Sequence, residues 1–340
     1  MPMEAQRTIR EELEQLEHQQ LREYASFSDK TRGRDRLEEK CIFRTEYQRD
    51  RDRILHCKAF RRLKHKTQVF LAPEGDHYRT RLTHTLEVAQ IARTIAKALY
   101  LNEDLTEAIA LGHDLGHTPF GHAGERALNQ ICPMGFAHHL QSVRVVDLLE
   151  RDGQGLNLTM EVRDGIRNHQ LAGNPSTLEG CIVRFSDKIA YTNHDIEDAV
   201  SAGIIRERDI PNAYSKVLGL TKGERLDTLV YDIVCQSRGK NHIQISQGVS
   251  EALYGLRDYL FKKVYTNKRA KSQERKAEEL VQHLYLYCLK HIGVLPVEYQ
   301  SLIEDKKEPR ERVVCDYVAG MTDNYAIKKY SEWFIPNVWK

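Results

Sequence analysis

Apolar residues recur at helical spacing along most of this chain, and that periodicity is the strongest constraint on its fold. Steps of three and four residues place side chains on one face of an α-helix. Between positions 82 and 100 such a face is formed by Leu82, Leu86, Ala89, Ile91, Ala92, Ile95 and Leu99. Comparable patterns predict helices at 8–25, from about 105 to 112–116, and at 138–151, 159–170, 176–202, 249–264, 272–293 and 321–332. The chain is therefore predicted to be all-α.

Signals for β-structure are few. Segment 66–81 predicts a small β-hairpin, because TQVF and HYRTR flank a turn that contains Pro73 and Gly75. IQIS at 243–246 is the best remaining strand signal. The first helix is expected to open with a capping box made by Thr8 and Glu11, and the polar stretch 26–40 after it is expected to be a loop or a mobile arm.

The length of 340 residues suits one large domain or two closely packed ones. The helical pattern is interrupted at Gly203, Pro211 and Gly219. We therefore predict three parts: an N-terminal helix and arm (1–40), a catalytic core (41–205) and a helical C-terminal extension packed on that core (206–340).

Cysteine usage and hydropathy bear on where the protein works. The 7 cysteines show no CxxC spacing, so they indicate reduced thiols and argue against a structural zinc site. The N-terminal segment MPMEAQRTIREELEQ has no apolar core of the kind found in secretion signals. No run approaches the roughly 18 apolar residues needed to span a bilayer. A cytoplasmic protein without membrane contact is predicted.

Four side chains that commonly bind metals are spread along the chain: His84, His113, Asp114 and Asp187. The adjacent pair opens the run HDLGHTPFGH at 113–122. Two imidazoles and two carboxylates suit a divalent ion and leave positions for water and substrate, as in hydrolases that act on phosphate esters. His-Asp pairs also occur by chance, and most buried histidines are simply hydrogen-bonded. The pair alone is therefore a weak signal.

The charge balance excludes a strong global attraction to nucleic acid, because 51 Lys and Arg against 49 Asp and Glu leave a net charge of only +2. Basic residues do cluster at 49–66, a pattern that suits a triphosphate or a nucleic-acid strand. The cluster comprises Arg49, Arg51, Arg53, Lys58, Arg61, Arg62, Lys64 and Lys66. Arg61 and Arg62 either hold phosphate, bind an effector nucleotide at a subunit boundary, or pair with core carboxylates. A charge run is usually a solvated face.

Six segments in this order resemble the HD-domain superfamily, and more narrowly its deoxynucleoside triphosphate (dNTP) triphosphohydrolases, which include the bacterial dGTPase-like proteins. They are FRRLKHKTQVF (60–70), RLTHTLEVAQIA (81–92), HDLGHTPFGHAGE (113–125), FAHHLQSVRVVD (136–147), SDKIAYTNHDIEDA (186–199) and DYVAGMTDNYA (316–326). The resemblance covers about 30–330. It implies a helical HD core and one divalent ion (Mg, Mn, Fe, Co, Ni or Zn) held by His84, His113, Asp114 and Asp187.

The resemblance also implies catalytic residues. The position of His122 is implicated in proton transfer, with Glu125 orienting it, either to the attacking water or to the leaving 5′-oxygen. His117 would face the same cavity, although a capping or surface histidine is the alternative for it. An imidazole titrates near neutral pH and can therefore pass a proton there.

Substrate contacts follow from the same resemblance. Arg81, His138 and Lys188 match positions that contact phosphate. His138 is followed by His139, where Asn or Glu is commoner, and we favour His138. Tyr191 and Asp195 match positions that meet the deoxyribose, with Asp195 accepting from the 3′-hydroxyl. The alternative is an amphipathic helix on which Lys188 and Asp195 are solvated ends.

Three functions remain open at this point. The first is a dNTP triphosphohydrolase that releases deoxynucleoside and inorganic triphosphate. The second is another HD-domain phosphohydrolase, such as a nucleotidase or phosphodiesterase, and the third is a regulatory module that binds nucleotide or nucleic acid. Expected partners are the dNTP substrate, a dNTP effector at a subunit interface, single-stranded nucleic acid and further copies of the chain in a homo-oligomer. Tyr285 and Tyr287 are predicted to be core or subunit contacts, and Thr322 the N-cap of the last helix.

Overall fold

The computed structural model describes residues 7–68, 79–265 and 268–336. Over these ranges the regular structure is helical, without a β-strand, and two isolated antiparallel bridges join Arg34 to Thr159 and Thr67 to Thr80. The all-α prediction is confirmed. The predicted hairpin falls largely on 69–78, which lies outside the described residues.

The helices are joined by connections of very different length. They are α1 (Ile9–Gln20), α2 (Glu46–Leu55), α3 (Lys58–Arg62), α4 (Arg81–Leu99), α5 (Glu103–Gly112), α6 (Gly121–Ile131), α7 (His138–Arg144), the single turn α8 (Glu150–Gly153), α9 (Met160–Arg167), α10 (Leu178–Ser201), α11 (Asn212–Leu218), α12 (Lys222–Ser237), α13 (Gln247–Leu260), α14 (Lys268–Lys290), α15 (Val297–Glu304), α16 (Arg310–Ala319) and α17 (Asp323–Phe334). The strand expected at 243–246 is wrong: these residues form an irregular segment between α12 and α13.

The N-terminal part agrees with its capping signal. The Thr8 hydroxyl accepts from the backbone N–H of Glu11, and the Glu11 carboxylate accepts from the N–H of Thr8 at 2.9 Å. Beyond α1 the chain is irregular but bound to the rest of the protein. Ser26 donates to Glu179 through both its backbone N–H and its hydroxyl at 3.0 Å, and Arg34 is paired with the carboxylate of Asp50.

Two hydrophobic cores organise the helices. The first is formed mainly by α2, α4, α5, α9, α10, α12 and α13, and the second by α6 and α14–α17. Helix α6 therefore packs with the C-terminal helices, whereas α11–α13 pack with the first core. The boundary predicted at 205/206 does not coincide with the division between the cores, and the domain division stays a prediction.

Buried polar contacts join the loop between α5 and α6 to the C-terminal helices. The ammonium group of Lys66 donates to the carbonyls of His117 and Ala319. Asp323 accepts from the backbone N–H of Phe120 at 2.9 Å. These contacts hold the loop in place, because each satisfies a buried group that would otherwise lose its hydrogen bond to water.

The structure also bears on the predicted N-cap of the last helix, the two tyrosines, the cysteines and membrane contact. Thr322 caps α17 by accepting from the N–H of Tyr325, as predicted. Tyr285 is buried in the second core and Tyr287 stacks on Trp333 at 4.8 Å between ring centroids. The cysteines are free thiols. Among the described helices, none combines the length and apolar character needed to cross a bilayer.

Candidate metal centre and active-site cleft

Three helices bring the four predicted metal ligands to one point. His84 lies in the first turns of α4, His113 and Asp114 at the end of α5, and Asp187 on α10. The Nε2 atom of His84 lies 3.1 Å from Oδ1 of Asp187 and 3.9 Å from Oδ2 of Asp114. The Nε2 atom of His113 lies 3.6 Å from Oδ1 of both carboxylates. Residues about one hundred positions apart in sequence thus form one cluster.

The geometry of this cluster fits a divalent ion. With metal–ligand bonds of about 2.1 Å, neighbouring ligand atoms are roughly 3.0 Å apart in an octahedral shell and roughly 3.4 Å apart in a tetrahedral one. Nδ1 of His113 lies 2.6 Å from the carbonyl oxygen of Ala110, so Nδ1 carries the proton and donates. The buried Nε2 atom is then unprotonated, and it has no hydrogen-bond partner among the described residues. A metal ion would satisfy it.

Both carboxylates are held in the ionised form that metal ligation requires. Burial acts to raise the pKa of Asp114, but the neighbouring imidazole of His113 and the positive charge of Arg81 hold that pKa well below its usual range. Burial likewise opposes ionisation of Asp187, but the hydrogen bond with His84 in the metal-free protein and the neighbouring imidazole of His113 lower its pKa. Protonation of either ligand at neutral pH is therefore disfavoured.

Arg81 forms an ion pair with Asp114, one of the four proposed metal ligands. One guanidinium nitrogen, Nη1, donates to Oδ2 of Asp114 at 2.6 Å, and the side chain is buried. A charge-assisted bond of this length orients the carboxylate. Arg81 also lines the cleft, so its predicted contact with phosphate is compatible with this position and remains a prediction.

A second cluster, which we call the histidine cluster, consists of His117, His122, His138 and Glu125. The Glu125 carboxylate lies 2.9 Å from Nδ1 of His138 and 3.2 Å from Nδ1 of His122, and it accepts from the backbone N–H of His138 at 2.9 Å. The rings of His117 and His138 stack with centroids 4.5 Å apart. Glu125 therefore orients two imidazoles at once. His138 lines the cleft, whereas His139 is not among its described lining residues.

Charge within the histidine cluster is unevenly distributed. Burial opposes ionisation of Glu125, but the hydrogen bonds from His122 and His138 hold its pKa well below the usual range. Burial also lowers the pKa of His138, yet the hydrogen bond and charge of Glu125 raise it overall above the ordinary value. Burial lowers the pKa of His117 well below 6.5, which keeps that ring neutral.

The predicted substrate residues of α10 occupy different surroundings. Lys188 and Tyr191 line the cleft, and the Tyr191 ring lies 6.4 Å from that of His122. Burial, helped by the charges of Arg257 and Arg184, lowers the pKa of Lys188 to about 7. Asp195 is buried two turns beyond Asp187, outside the described lining of the cleft.

The cleft has a volume of about 370 Å³ and includes residues that sequence reasoning missed: His169, Gln170, Arg184 and Arg257. Nε2 of His169 lies 3.4 Å from Nε2 of His138, and burial lowers the pKa of His169 to about 3. Arg184 precedes Asp187 by three residues, so helical spacing could have identified it. Arg257 comes from α13, and no spacing relates it to the other site residues.

Half of the eight basic side chains at 49–66 form ion pairs in the described structure. Arg49 and Arg53 both contact Glu38, and Arg51 contacts Asp104 at 2.9 Å. These pairs neutralise much of the positive charge on which the nucleic-acid interpretation depended. Lys66 is buried, and only the part around Arg61 and Lys64 remains exposed and without an ion pair in the described structure.

Comparison of the sequence with known proteins shows the family of the chain. A family model described as HD domain matches residues 81–192, and one described as phosphohydrolase-associated domain matches 243–332. A deoxyguanosinetriphosphate triphosphohydrolase-like protein of Caldanaerobacter subterraneus is 57% identical over 331 residues, which is 97% of each chain. A protein with the same description from Clostridium perfringens is 48% identical over 96% of this chain and 98% of its own.

Among solved structures, a hypothetical protein from Aquifex aeolicus has a TM-score of 0.46 at 18% identity, covering 82% of this chain and 67% of that one. The family assignment rests on the comparisons with the Caldanaerobacter and Clostridium proteins, which extend over nearly the whole length of this chain and of each relative. The chain belongs to the HD-domain family of deoxyguanosinetriphosphate triphosphohydrolase-like proteins.

Proposed function

We propose that this protein is a metal-dependent dNTP triphosphohydrolase that converts a dNTP and water to a deoxynucleoside and inorganic triphosphate. The observation that carries the proposal is the single cleft lined by His84, Asp114 and Asp187, by three members of the histidine cluster, and by four cationic side chains. The cations are Arg81, Arg184, Lys188 and Arg257. The relatives described above are named for dGTP, which makes dGTP the first substrate to test.

His84, His113, Asp114 and Asp187 would hold one divalent ion, and the donor set admits Mg, Mn, Fe, Co, Ni or Zn. Such an ion supplies Lewis-acid polarisation of the α-phosphoryl oxygen. Arg81 keeps Asp114 in position through its 2.6 Å bond. The ligands thereby stay arranged before substrate enters, which reduces the reorganisation needed at the moment of reaction.

Proton transfer is assigned to His122. Hydrolysis forms a bond from water oxygen to the α-phosphorus and breaks the bond to the 5′-oxygen, so the water loses one proton and the 5′-oxygen gains one. When Nδ1 of His122 donates to Glu125, its Nε2 atom is the basic nitrogen that can carry this proton. Glu125 stays ionised and stabilises the imidazolium that forms.

Binding of the polyphosphate is assigned to the cationic residues of the cleft. Lys188, Arg184 and Arg257 line the same cavity, and guanidinium groups form two parallel hydrogen bonds with phosphate oxygens. His138, whose pKa is raised by Glu125 against the effect of burial, adds a further positive charge. Tyr191, which lines the cleft, is assigned to the deoxyribose. Asp195 is buried outside the described lining, and its contact with the 3′-hydroxyl stays a prediction.

The reaction can be tested directly. Purified protein would be incubated with each dNTP and with GTP, in Mg²⁺ and then in Mn²⁺, and the inorganic product resolved by ion chromatography or phosphorus NMR. We expect intact triphosphate from the wild-type protein and none from His113→Ala. His18→Leu is a matched control, because His18 stacks on Phe27 and pairs with Asp29 away from the cleft.

The identity of the product decides between the enzyme classes. Pyrophosphate or orthophosphate as the first product would contradict the proposal and indicate another phosphohydrolase. Equal triphosphate release by His113→Ala and wild type would show that the activity comes from another site or from a contaminant.

A further inference from the structure

His84 has a second hydrogen-bonding partner on the side of its ring away from the other ligands. Its Nδ1 atom lies 3.1 Å from Nδ1 of His194, and the two rings are nearly perpendicular. Nε2 of His194 in turn contacts a carboxylate oxygen of Glu87, which lies one turn after His84 on α4. His84 and His194 are both almost fully buried. The three side chains form a continuous hydrogen-bonded series from the cleft outward.

Only one arrangement of protons satisfies this series when His84 binds a metal. The Nε2 atom of His84 must then be unprotonated, so its Nδ1 atom carries the proton and donates to His194. Nδ1 of His194 must therefore be bare, and the remaining proton of a neutral His194 lies on Nε2. That proton is donated to Glu87, which accepts it as a carboxylate. Each residue of the series therefore donates its proton in a hydrogen bond to the next, from His84 to His194 and from His194 to Glu87.

The outer end of the series is held by ion pairs. Arg79 donates to Glu87 at 3.2 Å and to Glu197 at 2.8 Å, and its own side chain is largely buried. Lys222 contacts Glu197 at 3.0 Å. Because Glu87 is fixed between His194 and Arg79, it can hold the His194 ring in one orientation.

We propose that His194 and Glu87 are positioning residues of the metal centre, which fix the His84 ring in the tautomer and orientation that present its Nε2 atom to the ion. The inference rests on the proposed metal centre and extends it to two residues outside the ligand set. Partners of this kind make the ligand more basic and preset its geometry, and their loss typically weakens metal affinity by about 10–100-fold.

The test is a measurement of metal affinity in the absence of substrate. Full-length protein would be stripped of metal and titrated with Mn²⁺ by isothermal calorimetry. His194→Leu keeps much of the side-chain volume but removes both hydrogen bonds. His194→Asn keeps an acceptor close to the position of Nδ1 and loses the contact with Glu87. Glu87→Gln keeps an acceptor for His194 but removes the charge.

We expect the dissociation constant for Mn²⁺ to rise by about 10–100-fold in His194→Leu and by less in His194→Asn and Glu87→Gln. Thermal unfolding of each metal-free variant, followed by circular dichroism, reports any structural damage separately. A purely structural role would lower the melting temperature without this ranking of affinities. His18→Leu should bind Mn²⁺ as wild type does.

The outcomes separate this inference from the proposed function. If His113→Ala binds Mn²⁺ as tightly as wild type, the metal centre itself is wrong. If His113→Ala loses affinity and His194→Leu does not, the centre stands and the positioning role is overturned. Equal losses in His194→Leu and His194→Asn would also overturn it, because the acceptor for the Nδ1 proton would then have no effect.

Discussion

The loop between α5 and α6 touches the backbone of α7 at Gly116, and this contact leads to a sharp prediction. A Cβ atom at Gly116 would lie 2.7 Å from the carbonyl oxygen of His138 and closer still to backbone atoms of Gln141 and Ser142. Backbone cannot rotate away as a side chain can. Gly116→Ala should therefore push α7, and His138 with it, away from the loop between α5 and α6.

The size of the effect follows from the contacts that would be lost. Overpacking in a tight interior typically costs about 1–3 kcal/mol. The displacement also breaks the bond from the Gly116 N–H to the Ser142 hydroxyl (2.9 Å) and that from the Ser142 hydroxyl to the His113 carbonyl (2.7 Å). At about 1 kcal/mol for each bond, the total is about 3–5 kcal/mol. An unfolding entropy of about 2.1 cal/mol/K per residue over 340 residues converts this into a melting temperature lower by about 4–7 °C.

Calorimetric melting of metal-free protein would measure the loss, and kcat on dGTP would report the displacement of His138. Gly223→Ala and Gly248→Ala are matched controls, since each lies in a helix where an added Cβ meets nothing within 4 Å. They should be neutral or stabilising by up to about 1 kcal/mol. If Gly116→Ala melts with the wild type and keeps full kcat, the close-contact argument is wrong.

Three further predictions concern the cleft. Glu125→Gln should lower kcat by about 10²–10³ with a smaller change in KM, because His122 and His138 lose their orienting carboxylate, and steady-state kinetics would show it. Adding Mn²⁺ at 100 times its dissociation constant should stabilise stripped wild-type protein by about 2.7 kcal/mol, or about 4 °C, and should leave the melting of His113→Ala unchanged. Burial lowers the pKa of His138, but Glu125 raises it overall above 6.5; burial opposes ionisation of Glu125, but the two histidines hold its pKa below 4.5. The stability from this pair should therefore be complete between about pH 4.5 and 6.5, and it should decline as the pH rises through the folded pKa of His138 or falls through that of Glu125. Urea unfolding in EDTA at pH 5.5 and pH 9 would contradict this if the difference between wild type and Glu125→Gln did not change with pH.

Apolar periodicity predicts α4, whose buried face is largely apolar, but it does not identify α2, whose buried face carries charge. In α4 the buried positions include Val88, Ala92 and Ile95, and the predicted range agrees with the observed one. In α2 the buried stripe includes Asp50, which is paired with Arg34. Charged residues at buried positions interrupt the apolar pattern of a helix. Periodicity alone therefore does not predict α2, which lies within a run of charged residues.

The proximity of the four proposed ligands, and that of the residues in the histidine cluster, could be expected because the segments that carry them resemble a known family in sequence and order. His169 and Arg257 could not, since each reaches the cleft through the packing of its own helix or loop rather than through a spacing. The side chain of Arg81 shows a similar limit. Its position three residues before His84 is visible in the sequence, whereas its 2.6 Å bond to Asp114 depends on how α4 packs against α5.

His194 lies between these two cases. The spacing that relates Asp187 to Tyr191 and Asp195 also includes His194, because seven residues of α-helix turn through about 700°, which is only about 20° short of two full turns. These seven residues rise by about 10.5 Å along the helix. The imidazole of His84 lies between the two positions, 3.1 Å from Asp187 on one side and 3.1 Å from His194 on the other. Helical periodicity is therefore sufficient to place His194 on the same side of α10 as Asp187. Its bond to His84 is a consequence of the packing of α4 on α10, and this is why a residue next to Asp195 in sequence acts, in our proposal, on the metal centre and not on the sugar.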